Sequence, residues 1–213
     1  MQQALALDTV LFAPVGTQPL KPEGASASFA ERVAMTRLAI ADEPGFALSL
    51  VDAPGPDNRP NYSYDTLTKL AAELGSDAHI YCLIGADSLA HLRLWHRAAE
   101  LPFLATLVIA ARPGFVLDNL SAYFPAELAL DAPLQASQPN RIALLSGSLR
   151  NAAGKCAAFH LLPALDYEMS ATTVRNLLQR GDLDACQKLL PAAVLDFLRD
   201  RKLYRAETPA NSR

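Results

Sequence analysis

Residues 84–96 carry the side chains best suited to chemistry. They read IGADSLAHLRLWH and follow an apolar run at 80–84. Such a run is typical of a buried parallel strand, and parallel strands open a ligand crevice at their carboxyl ends. Asp87 could accept hydrogen bonds from ribose hydroxyl groups, and Trp95 offers a flat face on which an aromatic ring could stack. The segment therefore predicts a nucleotide-binding crevice beside Gly85.

A second segment, 170–175, supplies what a phosphate chain would need. It reads SATTVR. Ser170 and Thr172 come where a helix would begin, and the free N–H groups and positive dipole end of a helix favour an anion there. Arg175 lies one turn further and could form paired hydrogen bonds with a phosphate. Simpler interpretations stay open, because Ser170 could only cap a helix and Arg175 could be a solvated surface cation.

Two stretches of the chain are similar to motifs of bacterial nicotinate-nucleotide adenylyltransferases, which belong to the HxGH nucleotidyltransferase superfamily. Residues 84–96 resemble the motif IGxDSLxxLPTWH, with Arg93 and Leu94 in place of Pro-Thr. Residues 61–67, NYSYDTL, resemble the motif SYTxDTL. Without this resemblance, core packing would be the commoner role for a lone tryptophan such as Trp95.

Three further stretches resemble the same family and stand in the family's order. Residues 112–115, RPGF, resemble RPGY, although Arg-Pro-Gly is also a common turn sequence. Residues 169–175 resemble ISSTxIR, with Ala171 at the second serine. Residues 14–22 resemble the PxxxPPHKP loop, with Leu20 in place of histidine. The resemblance thus extends from residue 9 to about residue 204.

The resemblance implies adenylyl transfer from ATP to nicotinate mononucleotide, which yields nicotinate adenine dinucleotide and pyrophosphate in NAD biosynthesis. It also implies Mg²⁺ that is carried mainly by the substrate phosphates, since Mg²⁺ is usually bound through few protein ligands. Trp95 would stack on the pyridine ring, and the backbone at 95–96 with Tyr62 and Ser63 would select the carboxylate. The implied ATP-binding residues are Gly85, Asp87, Ser170, Thr172 and Arg175. The implied substrate-binding residues are Lys21, Tyr62, Ser63, Trp95, His96 and Arg112.

The family's HxGH signature does not occur in this sequence. Family members begin with a strand and a GGTFDPxHxGH turn, whereas the four histidines here include no HxGH pair. No catalytic residue is therefore identified. Without that strand, the strands predicted at 9–13 and 78–84 would lose a shared neighbour, at about 1–3 kcal/mol for each unsatisfied buried group. We expect that the sequence begins downstream of the true start, with a degenerate paralogue as the alternative.

Two other functions stay open at this point. One is adenylyl transfer by a sibling enzyme of the HxGH superfamily that acts on nicotinamide mononucleotide or phosphopantetheine. The other is an inactive, truncated nucleotide-binding relic, which the missing HxGH element favours. The Trp95–His96 pair and the SYTxDTL-like segment argue against phosphopantetheine.

Composition excludes several classes of protein. The chain has 213 residues, 51% of them hydrophobic, and a formal net charge of −3. That charge argues against nucleic acid and anionic membranes as partners. Three scattered cysteines indicate reduced thiols in a cytoplasmic protein. No metal-binding spacing, signal peptide or membrane-length apolar run occurs, and the sequence is compatible with a homo-oligomer.

Alternating patterns predict the α/β class, as a Rossmann-like doubly wound parallel sheet of the nucleotidyltransferase type with helices at its C-terminus. The predicted strands are 9–13, 46–51, 78–84, 106–111 and 159–162. The predicted helices follow the capping box at Ser28 and the start signal at Ser63, and cover 171–180, 183–190 and 192–201. We expect one domain over 1–204 and a disordered tail at 205–213. Residues 116 to 156 are expected to form a family-variable insertion that is irregular apart from 142–145.

Overall fold

A computed structural model describes residues 2–20, 25–57, 59–111, 120–131, 134–136, 144–162 and 170–204. The chain divides into two units. The sheet unit comprises Met1–Asp8 and Pro60–Asp166, and the helical unit comprises Thr9–Arg59 and Tyr167–Arg213. The predicted tail at 205–213 lies outside the described residues.

Strands and helices alternate along much of the chain, which confirms the predicted α/β class. The strands are β1 (Val10–Phe12), β2 (Phe46–Leu48), β3 (Tyr81–Gly85), β4 (Thr106–Ala110), β5 (Leu128–Leu130), β6 (Gln135–Ala136), β7 (Leu145–Asn151) and β8 (Cys156–Leu162). The α-helices are α1 (Phe29–Ala39), α2 (Ser63–Leu74), α3 (Ala86–Ala90), α4 (Ala171–Arg180), α5 (Leu183–Gln187) and α6 (Ala192–Asp200). Short 3₁₀ helices cover Leu92–Leu94, Ala98–Phe103 and Leu120–Tyr123.

The sheet of the sheet unit is mixed. Its strand order is β3-β4-β8-β7-β5, with β6 also paired to β7. The strands β3, β4 and β8 run parallel, whereas β7 is antiparallel to β8, β5 and β6. The prediction of a parallel sheet is therefore confirmed for β3, β4 and β8 and wrong for β5, β6 and β7. The physical reason is the short connection between β7 and β8, because so short a link joins antiparallel strands only.

That connection is a hairpin turn at 151–155. The Asn151 amide donates to the Lys155 carbonyl at 3.0 Å, and the Asn151 side chain accepts from the Lys155 amide at 2.9 Å. Gly154 has a φ of 79°, a conformation that glycine adopts without strain. The prediction that 116–156 is irregular apart from 142–145 is wrong over β5, β6 and most of β7. Whether this region varies within the family stays a prediction.

The two faces of β4 pack against different clusters. Leu107 and Ile109 point into the main core, whereas Val108, between them, packs with Leu144, Leu162 and Leu5. All three β4 side chains are at most 1% exposed, as predicted for a strand covered on both faces. The same prediction is wrong for β3, because Leu83 at its centre is 50% exposed.

Buried leucines fix the segment that follows β3. Leu89 of α3 and Leu92 of the next 3₁₀ helix are both 0% exposed in the main core. Burial of each contributes roughly 1.5–3 kcal/mol relative to an exposed side chain. These two anchors therefore hold the backbone that leads to Trp95 and His96.

Capped helices dominate the helical unit. The Ser28 hydroxyl accepts from the Glu31 amide at 3.2 Å, and the Glu31 carboxylate accepts from the Ser28 amide at 2.8 Å, which confirms the capping box that begins α1. Helices α4 to α6 share a core cluster against which Met35 and Leu38 of α1 also pack. The predicted helix at 171–180 is confirmed as α4, and α5 and α6 are shorter than predicted.

Two strands, β1 and β3, each have a single partner strand among the described residues. Over the described part of the chain, β1 pairs with β2 and with no other strand, and β3 pairs with β4 alone. Both pairs are parallel. The upstream strand itself stays a prediction.

Candidate functional site

Gly85 lies at the turn between β3 and α3. It is the N-cap of α3, with φ −76° and ψ 160°, which any residue adopts. A Cβ added there would meet no heavy atom within 4 Å. Neither backbone strain nor crowding within the protein therefore requires a glycine at this position, and the space above it is open.

Asp87 lies in the first turn of α3 and is exposed. A ring nitrogen of His91, Nδ1, lies 2.9 Å from the backbone carbonyl oxygen of Asp87. An acidic side chain in the first turn of a helix is favoured by the helix dipole. The carboxylate of Asp87 thus stands at the carboxyl end of β3, where the sequence predicted it.

Trp95 caps the 3₁₀ helix Leu92–Leu94 and is half-buried. Its side chain packs against the main core of the sheet unit. Part of this indole therefore has the structural role that sequence reasoning weighed against a ligand platform. The next residue in the chain, His96, is exposed.

Tyr62 and His96 bring two sequence motifs together. Their ring centroids are 4.6 Å apart with an interplanar angle of 38°. Tyr64 meets the same imidazole edge to face at 6.3 Å. Tyr62 is also the N-cap of α2, so that Ser63 begins the helix. The 61–67 and 84–96 motifs are therefore adjacent in space, although nothing in their spacing along the chain shows it.

Sequence reasoning missed Arg97, which follows the Trp-His pair. Its guanidinium lies 3.7 Å from the centroid of the Tyr64 ring, and its Nε donates to the Glu100 carboxylate at 2.6 Å. The hydrogen bonds from Arg97 lower the pKa of Glu100, and those to Glu100 raise the pKa of Arg97. The available signal was the i, i+3 spacing of Arg97 and Glu100.

The N-terminus of α4 carries the predicted phosphate-binding residues. The Ser170 hydroxyl accepts from the Thr173 amide at 3.0 Å, so Ser170 is the N-cap. The Arg175 guanidinium donates to the Thr172 hydroxyl at 3.2 Å. Thr173, whose hydroxyl lies 2.9 Å from that of Ser170, was not singled out from the sequence. The first N–H groups of a helix have no partner inside the helix, so this end of α4 can take an anion.

The candidate residues are divided between the two units. Ser170, Thr172 and Arg175 belong to the helical unit, and all other described candidates belong to the sheet unit. Lys21 and Arg112 lie outside the described residues. A single site formed by both sets stays a prediction.

Three curated relatives, each named a probable nicotinate-nucleotide adenylyltransferase, are similar over nearly the whole chain. The Laribacter hongkongensis protein is 37% identical over 210 residues, 99% of this chain and 87% of that protein. The Chromobacterium violaceum protein is 38% identical, with 94% and 86% covered, and the Gloeobacter violaceus protein is 36% identical, with 97% and 85% covered. The chain belongs to the nicotinate-nucleotide adenylyltransferase family. No protein-family model matches it.

The fold agrees with that of a distant member of the same enzyme class. The chain is similar to Plasmodium falciparum nicotinic acid mononucleotide adenylyltransferase complexed with NaAD, with a TM-score of 0.63 and 15% identity over 93% of this chain and 83% of that one. The same protein complexed with APC gives a TM-score of 0.60. This likeness confirms the nucleotidyltransferase-type α/β fold.

The described residues also show whether metal-binding clusters or membrane-spanning helices are present. Within the described ranges, no group of three or more His, Cys, Asp or Glu side chains is arranged to hold a metal ion. In the same ranges, none of the helices combines the length and apolar character that a membrane span needs.

Proposed function

We propose that this chain transfers the adenylyl group of ATP to nicotinate mononucleotide. The observation that carries the proposal is the similarity, at 36–38% identity, to nicotinate-nucleotide adenylyltransferases over 94–99% of the chain. In this reaction a phosphate oxygen of the mononucleotide attacks the α-phosphorus of ATP. The bond from that phosphorus to the bridging oxygen breaks, and pyrophosphate leaves. The product is nicotinate adenine dinucleotide.

For this reaction the protein mainly has to position the two substrates and stabilise the negative charge of their phosphates. The phosphate is itself the nucleophile, so no covalent intermediate with a side chain is needed. Held in line, the two substrates react as though in one molecule, which removes much of the entropic barrier. An enzyme of this kind therefore needs a ring platform, a nucleotide crevice and donors for the phosphates.

In our proposal the aromatic group at the end of β3 binds the pyridine ring of nicotinate mononucleotide. Trp95 would stack on that ring with the face that the core leaves exposed. His96, held against the ring of Tyr62 at 4.6 Å, would border the same position. Backbone groups at 95–96 and at Tyr62 and Ser63 would select the carboxylate.

Gly85 and Asp87 would contact the nucleotide at the β3–α3 turn. The open space above Gly85 would let a ribose or phosphate approach the backbone closely. The exposed carboxylate of Asp87 could accept hydrogen bonds from ribose hydroxyl groups. Both assignments match the crevice that parallel strands form at their carboxyl ends.

The N-terminus of α4 would hold the ATP phosphates. The hydrogen bond from Arg175 to Thr172 already restrains the guanidinium along the first turn of the helix. A restrained guanidinium loses less conformational entropy when it binds a phosphate. Lys21 and Arg112 would add positive charge for the mononucleotide phosphate, which a chain of net charge −3 must concentrate locally.

Mg²⁺ would accompany the substrates. ATP phosphate oxygens would supply most of its coordination, because Mg²⁺ is usually bound through few protein ligands and substrate phosphates. When bound, the ion would neutralise charge on the phosphates. We also propose a cytoplasmic location, which the three free thiols of Cys82, Cys156 and Cys186 support.

Pyrophosphate release tests the proposed reaction. Purified protein with Mg²⁺ and ATP should release pyrophosphate with nicotinate mononucleotide, and more slowly with nicotinamide mononucleotide. A preference for nicotinamide mononucleotide or phosphopantetheine would indicate a sibling enzyme. No release with any of the three acceptors would indicate an inactive relic.

Fluorescence tests the ring platform independently of turnover. Trp95 is the single tryptophan of the chain, so its emission reports on one position. Nicotinate mononucleotide should quench that emission in a saturable way, and ribose 5-phosphate, which lacks the ring, should not. Equal effects of both compounds would contradict stacking on Trp95.

A further inference from the structure

Arg32 joins the first turn of α1 to the chain that follows β1. Its Nη1 donates to the carbonyl oxygen of Val15, and its Nη2 donates to that of Gly16 at 3.2 Å. The centre of the guanidinium also lies 5.5 Å from the centroid of the Phe29 ring. All of these residues belong to the helical unit. One planar group therefore holds two consecutive carbonyls.

The 14–20 segment is restrained from a second direction. The Gly16 amide donates to the Asp52 carbonyl at 2.7 Å, in the chain that follows β2. Gly16 thus accepts a hydrogen bond from α1 and donates one to the stretch after β2. The hydrogen bonds from Arg32 and the hydrogen bond to Asp52 therefore restrain the backbone at Val15 and Gly16 together.

The third nitrogen of the Arg32 guanidinium is left without a partner. Its Nε is buried, and the described residues place no acceptor within hydrogen-bond distance. A buried donor without an acceptor is rare and unfavourable. The orientation of the guanidinium therefore follows from its two loop carbonyls and does not satisfy every donor of the arginine.

We propose that Arg32 is a positioning residue that sets the backbone of the 14–20 segment for substrate binding. This segment begins the stretch that resembles the PxxxPPHKP loop and leads to Lys21, so the inference rests on the proposed function. Arg32 acts through the loop and does not touch substrate. The two carbonyls require a planar fork, which lysine cannot supply because its ammonium is a point donor.

Kinetics of Arg32→Lys test this role, since the substitution keeps the charge and removes the fork. We expect the KM for nicotinate mononucleotide to rise by about fivefold to tenfold, because hydrogen bonds from a charged donor are lost. The KM for ATP should stay within about twofold of the parent value. Arg37→Lys, an exposed arginine in the last turn of α1, is the matched control and should change neither constant.

A double-mutant cycle separates positioning from general stability. If Arg32 acts through the loop that carries Lys21, its substitution should raise KM less in a Lys21→Gln background than in the parent. If the double variant raises KM by the full product of the two single-variant factors, the two residues act independently and the proposal is overturned. A lower thermal midpoint for Arg32→Lys with an unchanged KM would overturn it as well, since that pattern marks a purely structural residue.

Hydrogen exchange keeps the inference testable if the proposed function fails. In the ligand-free protein, Arg32→Lys should speed exchange of the Gly16 amide, whereas Arg37→Lys should not. Unchanged exchange at Gly16 would overturn the positioning role whatever the enzyme does. Faster exchange in a protein that releases no pyrophosphate would instead contradict the proposed function alone.

Discussion

The rings of Tyr62 and His96 lie 4.6 Å apart, at the start of α2 and just after the 3₁₀ helix that follows α3. This contact joins the two motifs from which a pyridine-binding position is proposed. His96 directly follows Trp95 in the chain, and the indole of Trp95 is partly occupied by core packing. The position of the imidazole thus depends on the helix that Tyr62 begins.

Replacing Tyr62 should therefore change binding of nicotinate mononucleotide. Tyr62→Ala removes the ring that His96 contacts, and an aromatic pair is worth about 0.5–1.5 kcal/mol, so the KM should rise by up to about tenfold. Tyr62→Phe keeps the ring and should leave the KM within about twofold. Steady-state kinetics with both substrates measure this, and equal KM values for the two variants would contradict a role for the ring.

The open space above Gly85 makes Gly85→Ala a test of ligand approach. A Cβ there meets no protein atom within 4 Å and the φ of −76° suits alanine, so the folded state should tolerate it. A nucleotide that approaches the backbone would meet the methyl group, and affinity for ATP should fall. Gly55→Ala, whose Cβ also meets nothing within 4 Å, is the matched control. Calorimetric titration measures both, and unchanged affinity in Gly85→Ala would remove this glycine from the site.

Unlike Gly85, Gly147 has no room for a side chain, because an added Cβ would lie 2.5 Å from the Phe159 ring. Phe159 is 0% exposed and pairs with Gly147 across β7 and β8. Gly147→Ala should lower the free energy of unfolding by about 1–3 kcal/mol, the usual cost of overpacking. Urea denaturation measures it, with Ser148→Ala on the same strand as a control. Equal stability of the two variants would show that the ring moves aside.

Local signals predicted much of the fold, and long-range contacts account for the rest. The Ser28 capping box and Gly75 mark helix ends through bonds within a few residues, so α1 and α2 could be recognised. The strand β7 reads LSGSLRN, which lacks β-branched and aromatic residues. Its pairing with β8 across the 151–155 turn outweighs that weak propensity.

The same contrast between local signals and long-range contacts applies to the candidate site. The motifs and their order predicted Gly85, Asp87 and Trp95 as site residues, but the contact of Arg97 with Tyr64 depends on how two separate segments pack. The left-handed backbone of Arg97, with φ 53°, leaves no clear trace in the sequence either. The hydrogen bonds of Arg32 to Val15 and Gly16 join positions 17 and 16 residues apart, so local signals did not predict them.

His160 should make the stability depend on pH. Burial lowers its pKa below the usual value, and nearby His79 lowers it further, while Ser146 lies 2.9 Å from its Nδ1. Below about pH 6.5 the unfolded chain therefore binds more protons at this position than the folded chain. The contribution of His160 is present above that pH and is lost as the pH falls through its folded pKa. As the pH is lowered from about 6.5, the unfolding free energy of the parent should fall relative to that of His160→Gln. A difference between the two proteins that does not change with pH would contradict this role of His160.

Ser170 allows the cap of α4 and its proposed phosphate contact to be separated. Ser170→Ala removes the acceptor for the Thr173 amide and should cost about 1 kcal/mol of stability, together with affinity for ATP. Ser170→Asp supplies another good N-cap acceptor, so stability should persist, but its carboxylate would repel the phosphates and ATP affinity should fall further. Asp182→Ser, which exchanges one N-cap acceptor for another at α5, is the control and should change neither property. Thermal denaturation and calorimetric titration of the four proteins measure the two effects, and unimpaired ATP binding by Ser170→Asp would exclude the phosphates from this end of α4.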